Sequence, residues 1–345
     1  MENAKKSQPG RLRHPVQTGE FPSTSERSCR TSAGSGKLPG ALRQEPFSVL
    51  LSLSSLNLGA YGRLARLDRP VGTLLLLWPT LAALFAAAGG WPGGRLLAIF
   101  SLGTILMRSA GCVINDILDR HHDGLVERTR NRPLPGGDLT VSEAVLWLVL
   151  LLCGALLLAV MLSPLTLAFS VGGLVIAGLY PLMKRWTYLP QVVLGAAFSW
   201  GLIMAYIEVT GSTSASTWLL FTGSLLWIVA YDTWYAMVDR EDDLKAGIKS
   251  TAILFGVQDR SLIAVLQIAA WFILMLFGLQ TEAGLPYYAG LGAMAGTFRH
   301  QHRLGRDRSP SGCFKAFANN VWSGFALFCG VVTDTWIWPL VMTHV

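Results

Sequence analysis

Charge is missing from long stretches of this 345-residue chain, and that absence limits its fold more than any other feature. Residues 70–94, 144–183, 186–207, 209–231, 261–281, 283–298 and 316–333 contain no Asp, Glu, Lys or Arg. A helix that crosses a bilayer needs about 20 mainly apolar residues. Several of the gaps fit one such helix, and 144–183 fits two. Charged residues make up 14% of the chain, against roughly 25% in a soluble domain. A soluble protein so poor in charge could not cover its own surface. The expected fold is therefore all-α, a polytopic protein whose main partner is the lipid bilayer. Nine transmembrane helices are expected, at about 72–91, 96–116, 142–162, 165–183, 190–208, 217–237, 261–279, 284–298 and 318–340. The long neutral run divides between Ser163 and Pro164.

The net charge of +7 does not point to nucleic acid, because the bases sit in short loops between apolar segments. With Arg108 set aside inside the second span, 26 of the 28 Lys and Arg fall in the N-terminal segment and the loops after spans two, four, six and eight. Only Arg95 lies on the opposite side. The positive-inside rule places the crowded side in the cytoplasm, or in the mitochondrial matrix, and a bacterial inner membrane is the favoured location. Residues 1–50 read as a disordered extension, since 1–46 are rich in Ser, Pro, Gly and Arg. A transmembrane domain follows over 51–345, with 47–60 lying against the membrane surface. The five cysteines lack metal-type spacing and read as small buried side chains. Gly292 and Gly296 read as a helix-packing pair.

The chemistry gathers at two helix ends on the crowded side. Span two closes with Asn115-Asp116-x-x-Asp119-x-x-x-Asp123, in which three carboxylates at i, i+3 and i+7 share a helical face. Span six closes with Asp232, then Asp239, Asp242 and Asp243. Carboxylates this close repel one another and lose hydration near hydrocarbon unless cations relieve them. Mg2+ suits the task, because it takes one or two carboxylates per ion and bridges to phosphate oxygens. Arg128-Thr129-x-x-Arg132, Tyr180 with Lys184, and Lys245 with Lys249-Ser250-Thr251 stand on adjacent loops. Together they read as a site for a diphosphate held by metal, with Arg and Lys on its outer oxygens. Arg130 and Arg240 read as topology determinants. His121 and His122 read as loop residues or as groups that support the metal ligands from behind, Glu208 and Asp334 as interfacial, and Asn319 and Asn320 as packing groups. Arg108 lies seven residues before Asn115, ~10 Å deeper and on nearly the same face. An arginine inside a span is a functional candidate, and here it suits a second, anionic substrate.

These motifs, in this order, resemble the UbiA family of membrane prenyltransferases over roughly residues 60–340. The aspartate motif at 115–123 with its extension Arg128-Thr129-x-x-Arg132-Pro133 matches the family's first motif. Asp239-x-x-x-Asp243 with Gly247-x-Lys249-Ser250 matches the second. Asp68-Arg69-Pro70-Val71-Gly72, Trp78-Pro79, the stretch from Arg108 to Cys112 and the stretch 231–256 are most similar to members acting on 4-hydroxybenzoate. Residues 1–50 have no counterpart in the family.

The resemblance implies nine helices around a central cavity, with Mg2+ and a polyprenyl diphosphate at the cytoplasmic cap and lateral access for the tail. It places Asp116, Asp119, Asp123, Asp239 and Asp243 around the metal. Arg128, Arg132, Lys184 and Lys249 would hold the diphosphate, with Tyr180 and Asp232 nearby. Arg108 and Asn115 would orient the acceptor. The implied reaction is transfer of the polyprenyl group to the ring carbon ortho to the hydroxyl of 4-hydroxybenzoate, in ubiquinone synthesis. Rival readings are another acceptor (a naphthoate, haem or a chlorophyll precursor), or a transporter of lipid diphosphate or cations. Carboxylates that cap one surface, away from the midplane, disfavour transport.

Overall fold

The computed structural model describes residues 57–123, 129 and 131–342, and every regular element among them is helical. The expected disorder over 1–50 falls outside the described residues. A short helix α1 (Leu58–Leu64) leads into α2 (Val71–Ala88), α3 (Gly94–Asp123), α4 (Val141–Ala159) and α5 (Pro164–Trp186). Then come α6 (Pro190–Thr210), α7 (Ala215–Val238), the short α8 (Arg240–Ala246) and α9 (Thr251–Phe255), and α10 (Asp259–Gln280). The chain continues through α11 (Leu285–Leu304) and α12 (Pro310–Val332), then a π turn over Thr333–Ile337 into α13 (Trp338–Met342).

Among the described residues nine helices have 18 residues or more, at the positions of the nine expected spans. Seven helical stretches are both long and apolar enough to cross a membrane. The two long helices outside that set are α7 and α11. Helix α7 carries Trp227, Tyr231, Asp232, Trp234 and Tyr235, and more than half of it is buried by other helices. It needs compatibility with protein, and lipid-grade apolarity is not required of it. Helix α11 ends in Arg299, His300, His302 and Arg303. Helix α3 runs past the expected boundary near residue 116 to Asp123, so the whole first aspartate motif stands on helical backbone.

Local chemistry sets the helix ends. Ser163 accepts a hydrogen bond from the Thr166 amide at 3.3 Å, and Pro164 occupies the first turn, so α5 begins at the expected division. Thr140 and Glu143 close a reciprocal capping box at the start of α4. Glu208 accepts from the Ser163 amide at 2.9 Å, and Asp334 accepts from the Gly284 amide at 3.1 Å. Both residues read as interfacial therefore tie turns at one end of the bundle.

Helices α2, α6, α7 and α12 pack together at the centre. Outside them, α3 lies on α2 and α4, α5 on α6, α10 on α7, and α11 on α12. The core includes Leu202, Trp227, Tyr231, Leu274, Phe277, Met294 and Leu327. Helices α4 and α5 bury few residues and barely touch. Their exposed Val145, Leu146, Leu150, Leu157, Val171 and Val175 form an apolar outer surface suited to lipid.

Two packing expectations are corrected. A Cβ on Gly292 or Gly296 would meet nothing within 4 Å, so these glycines do not form the helix contact. The close approach of α11 to α12 runs through Gly290 and Gly330, where a Cβ on Gly290 would lie 2.7 Å from the Gly330 Cα. Cys112 and Cys313 are buried as expected, but Cys153 is exposed, on the part of α4 that lines the cavity described below.

Candidate active site

One cavity of about 1460 Å³ takes in almost all the sequence candidates that lie among the described residues. Its rim carries Asp116, Asp119, Asp239, Asp242 and Asp243 with Arg66, Arg132, Lys184 and Lys249. Its depth is lined by Arg108, Asn115, Tyr180, Asp232 and apolar residues of α4, α5 and α6. The side chain of Asp123 and the whole of Arg128 lie outside the described residues.

The first helix end is held by charge. Asp116 is 1% exposed. Arg66 Nη2 donates to both of its carboxylate oxygens at 2.9 Å, and Arg132 Nη1 donates to Oδ1 at 3.1 Å. One turn further on, Asp119 stands 3.6 Å from Lys184 Nζ, which also donates to Asn115 Oδ1 at 3.4 Å. The same ammonium lies over the Tyr180 ring, 5.8 Å from its centroid. Four candidates on α3 and α5 thus form one contact group.

The second helix end is built differently. Asp239 breaks the helical path between α7 and α8, and the Asp243 amide donates to the Asp239 carbonyl at 2.8 Å. Asp232, seven residues before Asp239, opens on the same cavity. The two loops are sewn together by backbone, since the Lys249 amide donates to the Lys184 carbonyl at 3.0 Å. Lys249 Nζ rests at the exposed rim, on the Trp186 carbonyl at 3.3 Å and 5.3 Å from the Tyr188 ring centroid. Behind it, Thr251 is fixed by its amide to Gln191 Oε1 at 3.0 Å and by its hydroxyl to Thr233 at 2.8 Å.

Arg108 lies deeper. Its Nη1 contacts Cys112 Sγ, and its guanidinium sits 5.9 Å from the Phe198 ring centroid. Its Nε is buried without a hydrogen-bond partner, a costly state that an anionic ligand would relieve. Helix α2 makes room for it only because residue 72 is glycine, where a Cβ would come within 2.6 Å of Nε and Nη2.

Among the described residues, no three His, Cys, Asp or Glu side chains converge into a preformed metal cage. The donors facing the rim are nonetheless carboxylates from two helix ends, hard oxygens spread around an open space. That set fits Mg2+, which keeps several waters and needs few protein ligands. The oxygens of Asp116 already carry guanidinium donors, and it would reach an ion only by giving up part of that pairing.

Three features escaped the sequence reading. Arg66 clasps Asp116 from a left-handed turn, with φ of 57°. Gly72 shapes the place of Arg108. Arg240, read as a topology determinant, has a buried partner, its Nη2 lying 2.6 Å from Asp259 Oδ2.

Comparisons with known proteins agree with this fold. The family model described as "UbiA prenyltransferase family" matches residues 76–329. A 4-hydroxybenzoate octaprenyltransferase of Tolumonas auensis is 53% identical over 272 residues, 79% of this chain and 95% of that one. In structure, the chain is similar to a UbiA homolog from Aeropyrum pernix, with a TM-score of 0.68 and 21% identity over 76% of this chain and 97% of that one. A UbiA homolog from Archaeoglobus fulgidus, bound to DMAPP and Mg2+, gives a TM-score of 0.61 at 19% identity, over 79% of this chain and 99% of that one. At such low identity these likenesses speak to the fold alone.

Proposed function

The chain belongs to the UbiA prenyltransferase family, and from that premise we propose that it transfers a polyprenyl group from a polyprenyl diphosphate to 4-hydroxybenzoate. The observation that carries this reading is the vertical order of one cavity. Carboxylates and cations ring its mouth, and an arginine with an unsatisfied buried Nε waits below them. A diphosphate suits the first arrangement and a small carboxylate the second. The name of the similar Tolumonas protein, a 4-hydroxybenzoate octaprenyltransferase, supports the same pairing of substrates.

Asp119, Asp123, Asp239 and Asp243 would hold Mg2+, with Asp116 joining if it releases a guanidinium. Bound there, Mg2+ supplies Lewis-acid charge to the departing diphosphate. Lys184, Arg132, Arg128 and Lys249 neutralise the outer phosphate oxygens as the allylic C–O bond breaks and its electron pair leaves with the diphosphate. The apolar walls keep water from the allylic cation. Arg108, with Asn115 above it, holds the acceptor by its carboxylate. The ring carbon ortho to the hydroxyl then forms the new C–C bond and loses its proton. In the cell this reaction serves ubiquinone synthesis. The nine long helices cross a bacterial inner membrane with the cavity mouth toward the cytoplasm.

The test uses purified protein, geranyl diphosphate and labelled 4-hydroxybenzoate, with Mg2+ or with EDTA. Prenylated product should form with Mg2+ and vanish with EDTA. Absence of Mg2+-dependent product overturns the proposal. Arg108→Ala should raise the acceptor KM at least tenfold, about 1.4 kcal/mol, and leave the KM for the diphosphate unchanged.

A further inference from the structure

Asp259 begins α10 outside the cavity, and none of its side chain is exposed. A carboxylate so buried must be fully paired, and this one receives donors from three segments. Arg240 Nη2 reaches it at 2.6 Å, Arg308 Nε at 3.0 and 3.3 Å, and the Arg260 amide at 2.6 Å. Arg308 is held in the left-handed region, with φ of 56°, and its Nη2 donates to the Val257 carbonyl at 2.9 Å. Non-glycine residues rarely adopt that conformation without outside support. The result is a clasp joining the start of α8, the start of α10 and the turn between α11 and α12.

What this clasp holds is the informative part. Helix α8 has seven residues and buries none of them. A helix that short is not stable by itself in water, and α8 has no apolar face to anchor it. Both of its ends are tied by polar contacts. The far end is tied through Lys249, whose amide meets the Lys184 carbonyl. The near end is Arg240, which directly follows Asp239 and precedes Asp243 by less than a turn.

We propose that Asp259 is a positioning residue for the second carboxylate cluster, acting through Arg240 to fix Asp239 and Asp243 at the cavity mouth. Asp259 touches neither substrate nor metal. It sets where the ligands stand, as outer-shell partners do in other metal sites. The inference rests on the reading above that Asp239 and Asp243 bind a divalent ion.

Arg308 provides the control, because it pairs with the same carboxylate from a turn that carries no ligand. Purified full-length Asp243→Ala, Asp259→Asn, Arg240→Gln and Arg308→Gln variants would be titrated with Mn2+ in the presence of pyrophosphate. Binding is read from loss of the free-ion paramagnetic resonance signal, and thermal unfolding is followed in parallel. Asp259→Asn and Arg240→Gln should weaken Mn2+ binding by about tenfold. Arg308→Gln should lower the unfolding midpoint yet bind Mn2+ as the parent does. Should Asp259→Asn fail to accumulate, Arg240→Gln, which leaves Asp259 paired with Arg308, carries the same comparison. Parent-like Mn2+ binding by Arg240→Gln while Asp243→Ala binds weakly overturns the inference and leaves the proposed function standing. Equal weakening by Arg240→Gln and Arg308→Gln also overturns it, since the clasp would then serve the fold in general. Unchanged binding by Asp243→Ala removes the metal reading itself and the inference with it.

Discussion

The two aspartate-bearing helix ends face one cavity but are supported in opposite ways. Asp116 stands on the 30-residue α3, buried, with two arginines on its carboxylate. Asp243 stands on a seven-residue helix with no buried residue, located by a clasp on its neighbour Arg240. Support at the first end is direct and electrostatic. At the second, the short helix also receives remote support, which reaches it through the backbone from Arg240. A site that must grip a highly charged ligand and later release it gains from such inequality, because one wall keeps its shape while the other adjusts.

Replacing the aspartates gives the largest expected effects and the clearest way to break this contrast. Asp116→Ala and Asp243→Ala should each lower the rate of product formation by about 10²–10³. Asp116→Ala should cost more stability than Asp243→Ala, about 3–5 kcal/mol, because it strands two guanidiniums. Thermal unfolding of both proteins in detergent checks this, and an equal drop in midpoint would erase the distinction. Next in size is Arg66→Ala, which should destabilise by about 2 kcal/mol through loss of a charged nitrogen shared between both carboxylate oxygens. Unfolding measured beside Arg132→Ala would show whether the two arginines share the load. The smallest change tests the depth of the first wall. Gly72→Ala should raise the acceptor KM about tenfold, equivalent to 1.4 kcal/mol, with the diphosphate KM unchanged. Steady-state kinetics with each substrate varied in turn would reveal it.

Much of this could be read from the chain because membranes impose simple rules. Neutral runs located the long helices, and the Ser163–Pro164 junction marked a helix start by its own capping chemistry. The candidates on α3, α5 and α7 were found because carboxylates and cations at helix ends are conspicuous beside hydrocarbon. What stayed hidden depends on the partner across the gap. Gly290 and Gly292 look alike in sequence, and only the docking of α12 decides which meets Gly330. Arg63, Arg66 and Arg69 are equivalent on paper. The turn after α1 sends Arg66 to Asp116, while Arg63 pairs with Asp138 at 2.7 Å. Asp259 carried no local signal, since its partners Arg240 and Arg308 come from distant loops.

The contact between Gly72 and Arg108 has a consequence for anyone who would redesign the acceptor pocket. The missing side chain at 72 and the guanidinium from α3 share one volume, so a change at either position bears on the other. A library that varies residue 108 alone searches only shapes that fit beside a bare α2. Varying the pair together opens geometries that neither position can reach singly, and it is there that enzymes accepting larger or uncharged aromatics should be sought.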